Sequence, residues 1–127
     1  ISASLCPCGT GTSYADCCGP YLDGGQRPTT AEALMRSRYC GYVLARKDYL
    51  LNTWHPSSRP ATLDLDEADP TRWLGLKIIR KEAGDSKDKV GVVEFVARYK
   101  SGGKARRLHE TSRFVREDGH WFYLRGI

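Results

Sequence analysis

Four of the chain's five cysteines fall between positions 6 and 18, as Cys6-Pro7-Cys8 and, after eight intervening residues, Cys17-Cys18. From Cys6 to Gly25 the chain is rich in Cys, Gly and small polar residues and carries no apolar repeat around which it could fold. Something other than a hydrophobic core must hold this segment together. Two short hooks, with Gly9 and Gly11 freeing the backbone, can bring four thiolates to the corners of a tetrahedron, the arrangement of a closed structural zinc site with Zn–S near ~2.3 Å. Cys6, Cys8, Cys17 and Cys18 are therefore the expected ligands of one zinc ion. Disulfides or free thiols are the alternative; tight clustering and a reducing interior count against them. Thr12-Ser13 followed by Asp16 predicts a capped helical turn carrying Cys17 and Cys18. Cys40, far along the chain, is expected to be a small buried hydrophobe outside the ligand set.

Beyond the cysteines the pattern becomes helical. Pro28-Thr29-Thr30-Ala31-Glu32 reads as a helix start, with Thr29 capping the first turn and Glu32 reaching back to it. Ala31, Met35, Tyr39, Tyr42 and Val43 then recur at helical spacing, predicting a core-facing helix to about Lys47. Asp48 is the expected cap of a shorter helix, Tyr49 to His55, stopped by Pro56, and Pro56 to Pro70 reads as an irregular acidic connection. The period then changes to two. Trp73–Lys81, Val90–Lys100, Lys104–Arg116 and His120–Arg125 are rich in β-branched and aromatic residues and are separated by Gly84-Asp85, Ser101-Gly102-Gly103 and Asp118-Gly119. Four strands in an antiparallel meander, covered on one face by the helices, make an α+β architecture. At 127 residues the chain suits one such unit plus a small module.

Several function classes are excluded by pattern. No apolar run approaches the ~20 residues of a membrane helix. No signal-peptide pattern opens the chain, so a soluble cytoplasmic protein is expected, with no membrane partner. No Gly-rich phosphate loop and no nucleophile elbow is present. The net charge of +5 is uneven: residues 1–70 carry 6 basic and 8 acidic side chains, residues 71–127 carry 14 and 7. A zinc ion held by four thiolates contributes −2, lowering the total to +3 and making the amino-terminal half more acidic still.

Cys6-Pro-Cys-Gly-Thr-Gly followed by Tyr14-Ala-Asp-Cys-Cys-Gly19 resembles the SEC-C motif, the zinc-binding module at the carboxyl end of the SecA translocase ATPase. Thr12-Ser13 stand where the usual module has a basic pair, so the translocase module's binding to the chaperone SecB is not carried over. The likeness continues through Leu34-Met-Arg-Ser-Arg-Tyr-Cys40, Asp48-Tyr-Leu-Leu-Asn-Thr-Trp-His-Pro56, Trp73-Leu-Gly-Leu76, Val93-Glu-Phe-Val-Ala-Arg-Tyr99 and Glu110-Thr-Ser-Arg-Phe114. Together these resemble the YchJ family of small bacterial proteins. The resemblance implies a SEC-C zinc hook over residues 1–25, then over 26–127 a domain similar to nuclear transport factor 2. That fold is a cone of helices on a curved four-stranded antiparallel sheet. Some family members carry a second SEC-C motif after the position of Ile127. The resemblance implies fold and metal and leaves function open.

A curved sheet closed by helices leaves a concave pocket. Alternation places Val93, Phe95, Ala97 and Tyr99 on one face and Leu108, Glu110, Ser112 and Phe114 on the matching face of the next strand, with Trp121 and Tyr123 as the inward pair of the last. Arg98, His109, Thr111 and Arg113 are expected to face outward. The candidate pocket is thus Glu110 beside Tyr99 and Ser112, with Tyr123, and with Trp54 or Trp73 at the rim. A Glu on an apolar face suits a general base or a structural ion pair. His55 suits a catalytic partner or a helix-end cap.

Three functional readings follow, in this order. The first is a non-catalytic module presenting the zinc hook to a protein partner, since a closed zinc site cannot activate water. The second is a small-molecule binder or acid–base enzyme using the pocket around Glu110. The third is weak nucleic-acid binding through Lys104, Arg106, Arg107, Arg113 and Arg116.

Overall fold

The computed structural model describes residues 5–63 and 71–127. Residues 64–70, the later part of the predicted acidic connection, lie outside them, whereas 56–63 form bends and turns without helix or strand, as expected. The period-two segments form the sheet: β1 (Arg72–Ala83), β2 (Val90–Ser101), β3 (Lys104–Glu117) and β4 (His120–Gly126), antiparallel neighbours in sequence order. Each predicted strand is present, extended by one or two residues at its ends.

The sheet curves because it is bulged. Register shifts between β1 and β2 at Trp73/Gly75 and Ile78/Arg80 insert Leu74 and Ile79 as extra residues, and a third lies where Arg113/Phe114 pair with β4. The first bulge changes the parity of β1. Trp73, Leu76 and Ile78 all pack on the core as a result, while Leu74 and Ile79 are pushed out to 43% and 47% exposure. On β2 and β3 the alternation needs no such shift: Val93, Phe95, Ala97, Ser112 and Phe114 are buried on the concave face.

α2 (Ala31–Val43) lies across that face, with α1 (Gly19–Leu22) and α3 (Lys47–Asn52) packed against it. The cap of α2 is Thr30, whose Oγ1 accepts from the Ala33 amide at 3.1 Å, not Thr29 as the capping pattern suggested. Thr29 contributes its carbonyl instead, which accepts from Trp121 Nε1 at 3.0 Å. Glu32 turns along the helix to Arg36 and across to Lys81 rather than back to the cap. The helix ends at Val43, short of Lys47, because Ala45 takes a left-handed φ of 55° and reverses the chain into α3. No side chain caps α3, which starts at Lys47, so Asp48 lies in its first turn.

After α3 the chain runs beside β4: Tyr123 N donates to the Thr53 carbonyl and His55 N to the Tyr123 carbonyl, both at 2.8 Å. At the other end of the cone the Ala31 amide donates to the Gly84 carbonyl at 2.9 Å. α2 is therefore held at its start by the β1–β2 turn and β4, and α3 by β4. Between these anchors Leu34, Tyr39, Cys40, Phe95, Phe114 and Trp121 form one buried cluster that also includes Cys6, Cys8 and Cys18. Full burial of such apolar side chains contributes roughly 1.5–3 kcal/mol each. No helix among the described residues is long and apolar enough to cross a membrane.

Candidate functional site

The hook is a tight backbone turn followed by two short helical turns. Cys6 N donates to the Thr12 carbonyl at 2.8 Å, and Leu5 bridges to Ser13. Ser13 Oγ donates to Asp16 Oδ2 at 3.1 Å at the start of a 3-10 turn, Tyr14–Asp16. The predicted helical turn is present but stops before the cysteines: Cys17 caps its end and Cys18 precedes α1. This junction turns both thiols toward the first hook.

The Sγ atoms of Cys6, Cys8, Cys17 and Cys18 all lie within 4.8 Å of one another. Cys8 and Cys17 are 3.6 Å apart, Cys17 and Cys18 3.9 Å. A tetrahedron of thiolates with bonds near ~2.3 Å has edges of about 3.8 Å, so the separations and the all-sulfur donor set fit a tetrahedral metal ion. Cys6, Cys8 and Cys18 are buried, and Cys17 is the half-exposed corner. All five cysteines are free thiols. Hydrogen bonds from the thiols of Cys18 and Cys40 hold Cys8 well below the ordinary thiol range, whereas Cys18, bonded to Cys40 and Cys8, is pushed up. The nest thus favours a thiolate at Cys8, while burial holds Cys17 up as a thiol.

Cys40 is buried as expected, yet it is not remote from the nest. Its Sγ lies 3.4 Å from that of Cys6, beneath the cluster on α2. Arg36, one turn earlier on the same helix, donates from Nη1 to the Cys8 carbonyl at 2.8 Å. The hook therefore rests on the helix that roofs the cone.

Below that helix the cone is hollow, with a cavity of about 250 Å³ open at one side. α2 supplies Met35, Arg38, Tyr39 and Tyr42; the sheet supplies Trp73, Phe95, Ala97 and Leu108 and, at the polar end, Glu110, Ser112 and Tyr123. Four of the sequence candidates, Glu110, Ser112, Tyr123 and Trp73, are brought together here. Two are not lining residues. Tyr99 packs behind Trp73, its pairing partner on β1, with ring centroids 5.5 Å apart. Trp54 stands edge-on to Tyr123 at 5.1 Å, on the far side of that ring, because the segment after α3 runs along β4 rather than over the cavity mouth.

Glu110 Oε1 accepts from Ser112 Oγ at 3.1 Å and from the Tyr123 hydroxyl at 3.3 Å. It can lie in this position because residue 126 is glycine: a Cβ there would stand 2.7 Å from Oε1. Burial and the Glu110 charge push Tyr123 up to about 12, so its hydroxyl stays protonated and donates.

His55 is not part of the cavity, nor does its ring cap the helix. Its Nε2 meets Glu117 Oε2 at 2.6 Å and its Nδ1 meets Ser57 Oγ at 2.7 Å. His109 lies on the outer face against Glu94, as its strand phase predicts.

Sequence reasoning missed Arg38. It is 4% exposed, its Nη1 donates to the Leu50 carbonyl and Thr53 Oγ1, both at 2.7 Å, and its Cζ lies 5.0 Å from the Trp54 ring and 4.7 Å from that of Tyr123. A signal was present: position 38 falls on the apolar stripe between Met35 and Tyr42, where a charged residue needs a reason.

Residues 30–126 match the family model described as "YchJ, middle NTF2-like domain", and residues 4–20 match the SEC-C motif. A UPF0225 protein of Chromobacterium violaceum is 60% identical over 98% of this chain and 93% of its own length. One from Xanthomonas campestris is 56% identical over 94% of this chain and 91% of its own. Among solved structures, a SEC-C motif containing protein from Rhodopseudomonas palustris superposes with a TM-score of 0.81 at 35% identity, covering 96% of each chain. Another, from Psychrobacter arcticus, gives 0.76 at 31%, covering 98% of this chain and 81% of its own.

Proposed function

The chain belongs to the YchJ family, a SEC-C motif followed by a nuclear transport factor 2-like domain, and on that premise we propose that its cone is a receptor for a small molecule and its hook a zinc-held staple. The observation that carries this reading is the open cavity of about 250 Å³, whose walls are mostly aromatic and aliphatic and whose few polar groups converge from two sides. A cone packed solid would leave the hook as the sole candidate for function. The four thiols take zinc as a closed set, which supports rigidity rather than reactivity. None of the five cysteines lines the cavity, so the ligand is bound without contact to the metal.

Saturation-transfer NMR of the full chain against a library of small fragments tests the receptor. Leu108 lines the cavity and is 38% exposed, so Leu108→Trp blocks the space with little strain on the fold. Fragments that bind the unaltered chain and lose binding in L108W support the reading; a library without hits, or hits indifferent to L108W, removes it.

The protein-interaction module retains one supporting observation. Leu74 and Ile79, exposed by the β1 bulges, flank an outer groove of about 650 Å³ shared with Pro7 and Gly9 of the hook. A second copy of the chain is the simplest occupant of such a face. Sedimentation of the unaltered chain and of Leu74→Lys tests it, and a monomer at all concentrations excludes that form of the reading.

A further inference from the structure

Arg38 is buried in the roof of the cavity, and among the described residues no carboxylate lies within 4.0 Å of its guanidinium. Its Nη1 is occupied by the Leu50 carbonyl and Thr53 Oγ1, and the Tyr42 hydroxyl stands beside the guanidinium, which leaves some of its five N–H donors without an acceptor among the described residues. The rings of Trp54 and Tyr123 meet its charge with their faces, which offsets only part of the cost of taking a guanidinium out of water. This corner holds donors in excess of acceptors. The other charge on the Tyr123 ring is the reverse: Arg38 meets the face of that ring and Glu110 its hydroxyl. Glu110 lines the cavity with a carboxylate whose Oε1 is held by Ser112 and Tyr123 and whose Oε2 has no hydrogen-bond partner among the described residues. The two charges line one cavity without pairing with each other.

Resting on the receptor reading above, we infer that the cavity binds a small carboxylic acid with a ring-sized apolar body. Its carboxylate docks on Arg38 and a hydroxyl at its far end donates to Glu110. Arg suits the first contact because its planar fork offers two parallel N–H bonds to a carboxylate. The apolar body lies along Trp73, Tyr39 and Phe95, which line the same cavity as the two charged groups. The modest volume limits the ligand to something near a single substituted ring.

Four probes test this on the full chain by titration calorimetry: para-hydroxyphenylacetate, phenylacetate, para-hydroxyphenylacetamide and tyramine. The hydroxy acid should bind tightest. Removing the anion in the amide should weaken binding at least about ten-fold, the factor expected for losing charge-assisted hydrogen bonds. Removing the far hydroxyl in phenylacetate should cost a smaller factor, and tyramine, with a cation facing Arg38, should not bind. Arg38→Met should abolish acid binding. Because that variant can fail to fold, the Arg38 side-chain Nε–H resonance of the unaltered protein is followed as well; it should shift with the acids and stay in place with the amide.

Amide or amine binding as tight as the acid, or acid binding that leaves the Arg38 resonance unmoved, overturns the anion site while the receptor stands. So does a fragment library with hits but no acid among them. A library with no hits at all overturns the receptor and this inference together.

Discussion

Cys40 Sγ lies 3.4 Å from Cys6 Sγ across 34 residues of chain, so the helix that roofs the cone contributes a fifth sulfur to the floor of the cysteine nest. Cys6 belongs to the tetrahedral set and Cys40 packs beneath it, fully buried. Cys40→Ala should therefore retain one zinc per chain, whereas Cys6→Ser or Cys8→Ser should lose it. The cavity left by Cys40→Ala should cost about 1–2 kcal/mol in urea unfolding. Elemental analysis of the untagged chain reads the metal; loss of zinc from the Cys40 variant would place that sulfur in the ligand set.

Removing the metal should affect more than the hook. Cys6, Cys8 and Cys18 share a buried cluster with Ala31, Leu34 and Tyr39, and the Cys8 carbonyl holds Arg36. Chelation, or Cys17→Ser, is expected to unfold residues 5–25 while the sheet persists. It should also remove about 2 kcal/mol from the cone, lowering its melting temperature by roughly 5–10 °C. Amide exchange on zinc-loaded and chelated protein separates the two effects: protection in β2 and β3 should survive chelation.

Gly84 is a point where the sheet and α2 touch with no room between them. It has φ +82°, and a Cβ there would stand 2.8 Å from that of Ala31, whose amide it binds through its carbonyl. Gly84→Ala combines a left-handed alanine with overpacking and should cost about 2–4 kcal/mol. Gly102, also at positive φ but with open space around its Cβ position, should lose only about 1–2 kcal/mol on the same change. Urea midpoints of the two variants make the comparison.

Acid should loosen the contact between α2 and the edge of the sheet. Lys81 and Arg36 hold the Glu32 carboxyl below its ordinary value of 4.5. A carboxyl depressed in the folded state binds its proton more readily once unfolded. The stability it contributes is complete above about pH 4.5 and is lost as pH falls through the lower folded value. Lys81 is exposed and Glu32 and Arg36 are half-buried, so solvent screens the pairs in part and the amount is about 1 kcal/mol. Glu32→Gln should remove this slope from a plot of unfolding midpoint against pH while leaving the neutral-pH cavity unchanged.

Nucleic acid should bind weakly. Lys104, Arg106 and Arg107 lie exposed on the first half of β3, and no basic helix accompanies them among the described residues. Arg116 turns its Nε to the Asp88 carbonyl at 2.6 Å. Phosphate contacts of this kind give a Kd of about 10⁻⁴–10⁻⁶ M at physiological salt without sequence preference. A titration of labelled RNA and DNA at two salt concentrations checks this, and a salt-resistant nanomolar affinity would overturn it.

The four strands and the inward faces of β2, β3 and β4 were legible because their signals are local. Period-two alternation and Gly or Asp at the turns act within a few residues of themselves, and the tetrahedral spacing of the four thiols is carried by one short segment. Errors in the helices were also local in scale: Thr29 and Thr30 are equivalent caps by pattern, and only the approach of Trp121 Nε1 to the Thr29 carbonyl shows which one is free to act. The parity change in β1 carried no such signal, since a bulge is an event between two strands and leaves Trp73-Leu-Gly-Leu76 reading as plain alternation.

The sequence by itself thus determined the elements, their order, the grouping of Cys6, Cys8, Cys17 and Cys18 and the face of β3 that bears Glu110. Tertiary structure alone decided that Cys40 underlies the nest, that Trp54 and Tyr99 stand behind the cavity wall, and that Arg38 faces the same hollow as Glu110. Each of these relations joins residues on separate elements through the angle at which α2 crosses a bulged sheet. That angle is set by the sum of packing across the whole core, to which no short stretch of sequence holds the key.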